Sequence, residues 1–156
     1  MSVNLRKSQL AGATSTATSQ AQQLAPVDAL RSHLYTQGFT QYLDIASRSQ
    51  ILRHAVDILG LDIGTATIVV DMELEASCWV NEAKLLEELD ALLHRFTSGD
   101  KKLASKEHSD AVQMVCQVRA GYSRGLDPIL AERHIIDFCR KHSVKVKRGL
   151  FNWAIP

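Results

Sequence analysis

The sequence predicts a mainly α protein (α+β), a compact bundle of about five helices with a small two-stranded β element. An all-α bundle is the alternative. Apolar residues recur at intervals of three and four along most of the chain, which is the spacing of helices with one buried face. They make up 46% of the 156 residues, enough for a core in a single domain. Only two short stretches alternate between apolar and polar residues, as strands do.

Residues 1–25 differ in composition from the rest of the chain. They are rich in Ser, Thr, Ala and Gln and contain no acidic residue. Because such a segment has little apolar surface to bury, we expect a disordered tail, followed by a single globular domain over residues 26–156. The same composition is also found in targeting peptides and in export signals of bacterial secretion systems, and both interpretations stay open.

Two helices are predicted at the start of the domain. The first begins at Pro26, a residue favoured at the first helical position, and ends at Gly38. The second follows Thr40, whose hydroxyl is suited to capping, and ends at Gly60.

Residues 65–76, TATIVVDMELEA, have three interpretations. We favour a strand, because alternate positions are apolar and the opposite face is polar. The polar face carries Asp71, Glu73 and Glu75. The other alternating segment, residues 143–147, is the expected partner strand. Pairing would place Lys145 and Lys147 opposite the acids, and such opposite charges stabilise a strand pair.

The two other interpretations make this stretch helical. The spacing of HAVDILGLDIGTATIVV fits a helix-turn-helix motif with its turn at Gly60. Its second helix would present Asp71 and Glu73 to DNA, and these acids would repel phosphate. The third interpretation is one helix from about Thr65 to Phe96, although the β-branched run TIVV is a poor helix start.

Three more helices follow, and no internal repeat is evident. The clearest covers residues 81–99 and carries an unbroken leucine stripe. Another is expected near residues 107–120. The last has Asp127 as its N-cap and Pro128 at the first helical position, and it frays by His142.

Charge, hydropathy and cysteine count exclude several classes of protein. The formal net charge of +1 gives no overall field that would attract nucleic acid or a membrane surface. No apolar run approaches the roughly 18 residues of a membrane span. Three widely spaced cysteines do not suggest a disulfide framework. We therefore expect a cytoplasmic protein without a membrane partner.

The sequence carries no recognisable catalytic motif. It contains no phosphate-binding loop, dinucleotide-binding glycine pattern, zinc-protease motif or serine-hydrolase motif. His134, Cys139 and His142 lack the ligand spacing of a zinc site. Cys139 beside Arg140 could act as a nucleophile only with a lowered pKa and a nearby base. We expect no enzyme activity, no cofactor and no metal.

The strongest candidate binding surface is the basic and aromatic segment 133–153. Its candidate residues are Arg133, Arg140, Lys141, Lys145, Lys147, Arg148, Phe151 and Trp153. Cations next to aromatic rings are typical of surfaces that bind single-stranded nucleic acid. Residues 71–100 are mainly acidic, so the two charge blocks could instead face each other, either within one chain or across a homodimer.

The predicted function is a non-enzymatic regulatory or adaptor module that acts through contacts with a protein partner or in a homodimer. The first alternative is a transcriptional regulator that binds DNA or another nucleic acid through residues 133–153. The second is an exported or chaperone-type protein of a bacterial secretion system.

Overall fold

The structure, a computed structural model, describes residues 25–38 and 41–146. Within these residues it contains six helices and two small parallel sheets, which confirms the predicted mainly α class with a small β element. Residues 1–24 lie outside the described part, and so do the predictions of a disordered tail and of an export signal. The chain divides into two compact units. The single domain over residues 26–156 stays a prediction.

The first unit comprises Met1–Phe39 and Ala46–Glu73. Its described helices are α1, through residues 25–36, most of α2 (Ile45–Asp57) and most of α3 (Ile63–Ala76). Its buried apolar side chains are Leu30, Leu34, Ile51, Leu52, Ala55, Ala66 and Val70.

The second unit comprises Thr40–Ile45 and Leu74–Pro156. Its helices α4 (Glu82–Thr97), α5 (Ser105–Cys116) and α6 (Pro128–Lys141) pack around one apolar core. Members of this core include Leu89, Leu93, Leu103, Ala111, Val115, Ala131, Ile135 and Phe138. The predicted N-cap is confirmed, because the carboxylate of Asp127 accepts hydrogen bonds from the first amides of α6.

Both small sheets lie in the second unit, and each pairs two short strands in parallel. Strand β1 (Tyr42–Leu43) pairs with β2 (Val80–Asn81), and β3 (Lys102–Leu103) pairs with β4 (Lys145–Val146). Parallel strands require a long connection, and here two helices supply it each time.

The preferred interpretation of residues 65–76 as a strand is wrong, because they lie within α3. Strand β4, the expected partner, pairs with β3 instead. The single long helix is also wrong, since α3 ends at Ala76 and β2 precedes α4. The helix-turn-helix interpretation is correct for the secondary structure, because α2 and α3 are both helices and Gly60, with φ +69°, lies in the turn between them.

The acids of α3 do not pair with lysines near residue 145. In the first unit, Arg48 Nη2 lies 2.9 Å from Asp71 Oδ1, and Arg31 Nε lies 2.7 Å from Glu73 Oε1. Tyr35 also donates its hydroxyl to Glu73. These ion pairs therefore connect α1 and α2 with α3 in the first unit. The prediction that Asp71 and Glu73 pair with lysines across two strands is wrong.

The described chain consists of two copies of one arrangement: helix, strand, helix, helix, strand. Repeat 1 is α1, β1, α2, α3 and β2, and repeat 2 is α4, β3, α5, α6 and β4. This duplication was not evident in the sequence. It is inferred from local geometry and burial within each copy.

The backbone around the strands is the same in both repeats. The residue before the first strand has a left-handed conformation, with φ of 59° at Gln41 and 52° at Lys101. Its carbonyl accepts a 2.9 Å hydrogen bond from the second strand, donated by the amide of Val80 in repeat 1 and of Lys145 in repeat 2.

The connection between the two long helices is also repeated. The amide of Leu61 donates to the carbonyl of Ala55 at 3.0 Å, and the amide of Leu126 donates to Val115 at 2.9 Å. An aspartate follows each leucine and caps the next helix. Equivalent buried pairs are Leu30 and Leu89, Leu34 and Leu93, Leu43 and Leu103, Ile51 and Ala111, Ala55 and Val115, Ala66 and Ala131, Val70 and Ile135, and Leu74 and Cys139.

Candidate functional site

Helix α3 is apolar on two opposite sides. One side carries Ala66, Val70 and Leu74, each at most 1% exposed. The other side carries Ile68 and Met72, which are 60% and 62% exposed. The apolar side chains of a helix normally face the core, so the exposed apolar side of α3 needs an explanation.

We call Gly64, Ile68, Met72 and Ala76 the outer face of α3. These residues are spaced four apart, so they follow one side of the helix, and all are exposed. Glu75 flanks this face, and Lys84 Nζ lies 3.5 Å from its carboxylate. The neutral surface is thus bordered by charge at one end.

The start of the outer face is fixed by the turn before it. Asp62 accepts hydrogen bonds from the hydroxyl and the amide of Thr65. These bonds, the side-chain bond first, hold the pKa of Asp62 below its usual value. The carboxylate therefore stays ionised to a lower pH than an ordinary aspartate does, and it stabilises the N-terminus of α3.

The repeat supplies an internal comparison for the outer face. By the alignment of buried residues, Ile68 corresponds to Arg133 and Met72 to Asp137. All four side chains are exposed. Repeat 2 thus forms the same helix with charged residues at these positions. The fold of the repeat does not require apolar side chains there.

More apolar surface lies next to α3 in the first unit. Ile58, in the preceding turn, is 70% exposed, and Ile63, at the start of the helix, is 57% exposed. A shallow depression with a volume of about 440 Å³ is lined by Ser49, Leu52, Arg53, Val56, Asp57 and Ile63. The depression is mainly apolar and open to solvent.

The candidate residues in the basic segment are only partly described. Arg133, Arg140 and Lys141 lie on one side of α6, and Lys145 lies on β4; all four are exposed. Arg140 Nη1 lies 3.9 Å from Asp137 Oδ1. This side of α6 is therefore mainly basic. Lys147, Arg148, Phe151 and Trp153 lie outside the described residues, so their role stays a prediction.

Acidic residues of α4 pair with side chains of their own unit, but not with the basic side chains of α6 named above. Asp90 Oδ1 lies 2.8 Å from His134 Nε2, and Glu88 forms an ion pair with Arg119. These contacts help to attach α4 to α6 and to the loop after α5. They leave Arg133 and Lys141 exposed.

The environment of Cys139 does not favour a nucleophile. The side chain is 7% exposed, and burial raises the pKa of its thiol. A reactive cysteine needs the opposite shift and access to its substrate. Cys139 instead occupies the core position that Leu74 fills in repeat 1.

The prediction from sequence missed Ile68 and Met72 as surface residues. A usable signal was present: the apolar residues of 65–76 are too many for one buried helix face. The strand interpretation placed Ile68 and Met72 on the same face as Val70. The helix places them on the opposite side.

Three further findings concern metal ions, membranes and known proteins. Within residues 25–38 and 41–146, no three His, Cys, Asp or Glu side chains are grouped so that they could hold a metal ion. None of the helices described for this chain is long and apolar enough to cross a membrane. Comparisons with protein-family models, with curated proteins and with solved structures find no match to the chain.

Proposed function

We propose that the protein is a non-enzymatic interaction module, of the adaptor or regulatory kind, that binds a protein through the outer face of α3. The observation that carries this proposal is the exposure of Ile68 and Met72 at positions where repeat 2 has Arg133 and Asp137. Because both repeats form the same helix, the fold itself does not explain why Ile68 and Met72 are apolar.

Burial of this face by a partner is energetically favourable. Complete burial of a side chain such as isoleucine or methionine contributes about 1.5–3 kcal/mol relative to exposure. Ile68 and Met72 are adjacent on the helix and more than half exposed, so a partner that covers both gains most of this. Asp71 and Glu73 are held by arginines of the first unit.

A photo-crosslinking experiment tests the proposal directly. A photo-reactive phenylalanine derivative is placed at position 68 and, in a separate chain, at position 133 as the matched control. Both chains are expressed in the native host and irradiated, and covalent adducts are identified by mass spectrometry. We expect a defined protein adduct from position 68 that is lost on Met72→Asp, with no such adduct from position 133. Equal adducts from both positions, or none from position 68, would contradict the proposal.

The basic side of α6 supports a second candidate function, binding of single-stranded nucleic acid. Arg133, Arg140 and Lys141 are exposed on one side of α6, and Lys145 is exposed on β4. Such binding should weaken steeply with salt, since each neutralised phosphate releases counterions.

Retention on an immobilised single-stranded oligonucleotide at rising salt tests this second candidate. Arg140→Glu/Lys141→Glu should abolish retention, and Lys106→Glu, an exposed lysine on α5, should change it little. Absence of retention at low salt would rule out this function for the described residues.

A further inference from the structure

We infer that the second sheet, formed by β3 and β4, binds the phosphate groups of a nucleic-acid strand together with the end of α6 and does not read the bases. This inference rests on the second candidate function and names the part of the strand that is recognised. It adds Lys101 and Lys102 to the binding surface, and neither residue was predicted from the sequence.

Two lysines lie side by side in the second sheet. Lys102 of β3 and Lys145 of β4 are register partners in this parallel pair. Neighbouring strands are about 4.8 Å apart and register partners point to the same face, so the two ammonium groups extend from adjacent positions. The carbonyl of Lys101 accepts the hydrogen bond from the amide of Lys145, and all three residues are exposed. We call Lys101, Lys102 and Lys145 the lysine cluster.

The positive charge of the lysine cluster is only partly neutralised. Asp100 Oδ2 lies 3.3 Å from Lys102 Nζ. Lys101 and Lys145 form no ion pair with any residue in the described part of the chain. The carboxylate of Glu107, in the first turn of α5, accepts a hydrogen bond from the N-cap amide of that helix instead. Like charges at adjacent positions repel each other, and a bound anion removes this repulsion.

Repeat 1 forms the same strand pair without cations. The three positions equivalent to the lysine cluster carry neutral residues, which are Gln41, Tyr42 and Val80. Both sheets have the left-handed residue before the first strand and the hydrogen bond to its carbonyl. The fold of the repeat therefore does not require lysines at these positions.

The end of α6 places two more exposed cations near the lysine cluster, Arg140 and Lys141. Lys145 follows Lys141 after three residues, so their Cα atoms are at most about 14 Å apart. Basic residues in the last turn also stabilise a helix through its dipole, which gives Arg140 and Lys141 a structural role. The lysine cluster lies outside the helices and has no such role, so the inference depends on it.

The residue types in the lysine cluster favour phosphate as the ligand. A lysine ammonium is a compact point charge that binds phosphate oxygens, whereas the planar fork of arginine suits bidentate contact with a carboxylate or a guanine edge. Neither β3 nor β4 carries an aromatic residue on which a base could stack. A strand with one phosphate per nucleotide supplies several anions to several lysines. Binding at this surface is therefore independent of base sequence.

The apolar residues of the second sheet do not suit a lipid surface. Leu103 of β3 is buried, and Val146 of β4 packs against the core. The two strands therefore present no exposed apolar side chain that could enter a membrane.

Fluorescence anisotropy of a labelled single-stranded oligothymidylate, with the full chain at salt from about 50 to 200 mM, tests the inference. The diagnostic variant is Lys101→Gln/Lys102→Gln, and Gln41 shows that glutamine fits the left-handed position. Its affinity at about 50 mM salt should fall roughly tenfold or more. The slope of log affinity against log salt should become shallower by about 1.4, because each phosphate contact with a single strand contributes about 0.7. An oligoadenylate should give the same loss.

Lys84→Gln/Arg53→Gln is the matched control, because it removes the same two charges from residues outside the lysine cluster. Lys84 lies in the first turn of α4, and β3 follows the other end of this helix, about 20 Å away along its axis. Arg53 belongs to the first unit. The control should keep the affinity and the slope of the wild type. Circular dichroism melting verifies that each variant is folded.

The outcomes separate this inference from the second candidate function. If Arg140→Glu/Lys141→Glu abolishes binding while Lys101→Gln/Lys102→Gln behaves like the control, the second candidate function stands and the inference fails. If the wild type binds neither oligonucleotide at low salt, both fail. Binding to vesicles that contain phosphatidylserine, without binding to an oligonucleotide, would identify a lipid surface as the anion and would also overturn the inference.

Discussion

Ile68 on α3 and Arg133 on α6 occupy equivalent exposed positions in two copies of one helical repeat. The equivalent helices thus present apolar side chains at these positions in repeat 1 and charged side chains in repeat 2. The residues that the fold needs can be separated from those available for binding by comparing the two copies.

The first prediction concerns stability on the two sides of α3. Ile68→Arg/Met72→Asp should change the free energy of unfolding by less than about 0.5 kcal/mol, since both side chains are exposed. Leu74→Ala should cost about 2–5 kcal/mol, because Leu74 is 1% exposed and its removal leaves a cavity. Urea unfolding at one fixed, low protein concentration measures both. A large loss from the surface variant would mean that the outer face is structural.

The second prediction concerns the close approach of two backbone segments in the second unit. A Cβ atom at Gly125 would overlap the carbonyl group of Cys116. Gly125→Ala should therefore lower the free energy of unfolding by about 1–3 kcal/mol. Gly99→Ala is the matched control, since a Cβ there meets no atom within 4 Å. Equal stability of the two variants in thermal or urea unfolding would contradict this account.

The third prediction concerns the left-handed residues beside the second sheet. Lys101 and Ser143 have φ of 52° and 54°, a conformation that costs about 1 kcal/mol for a residue with a Cβ atom. Lys101→Gly and Ser143→Gly should each raise the free energy of unfolding, by up to about 1 kcal/mol. Glu87→Gly, at an exposed position inside α4, should instead lower it by about 1 kcal/mol. Destabilisation by all three glycines would show that the left-handed conformation carries no cost here.

The fourth prediction concerns two stacked histidines in the first unit. The rings of His33 and His54 have centroids 3.9 Å apart. Burial, and next the charge of His54, lower the pKa of His33 from its usual value of 6.5. The unfolded chain therefore binds a proton at a higher pH than the folded chain does. The free energy of unfolding should fall as the pH drops through 6.5 and below.

Urea unfolding at about pH 7.5 and about pH 5.5 tests this dependence. His33→Gln should show a smaller loss between the two pH values than the wild type does. The comparison of wild type with variant removes the contribution of the other titrating groups. An identical loss in the two proteins would assign the pH dependence to other residues.

Much of the helical architecture could be predicted from local patterns. The leucine stripe of α4 and the Asp127-Pro128 start of α6 follow from side-chain spacing and capping chemistry alone, and both are confirmed. The error at 65–76 has a physical cause. Alternate residues Ala66, Ile68 and Val70 are all apolar because both sides of α3 are apolar, and this reproduces the pattern of a strand.

The repeat could not be predicted because the two copies share burial and backbone geometry more than they share residue identity. Ile51 and Ala55 in α2 correspond to Ala111 and Val115 in α5, so large and small residues change places. The spacing between equivalents also changes, because the loop before α6 is longer than the turn before α3. A search for one fixed period therefore fails.

The outer face of α3 was not predicted from the sequence for the same reason that residues 65–76 were not predicted as a helix. Residues 133–153 were selected on charge, which is visible in a sequence. Exposure of Ile68 has only an indirect signal in the sequence, the excess of apolar residues in 65–76, and an apolar residue on a helix is normally assigned to the core. Only the two copies together show which apolar positions the fold does not use.

Asn81 ends β2 and also caps α4, with its side-chain oxygen accepting a hydrogen bond from the amide of Lys84. No linker separates the copies at this point, so loss of the strand pair also releases the helix start. We therefore expect the amides of Val80 and Lys84 to exchange with solvent deuterium in one shared opening event. Proteolysis or chain truncation at this junction would damage both copies together.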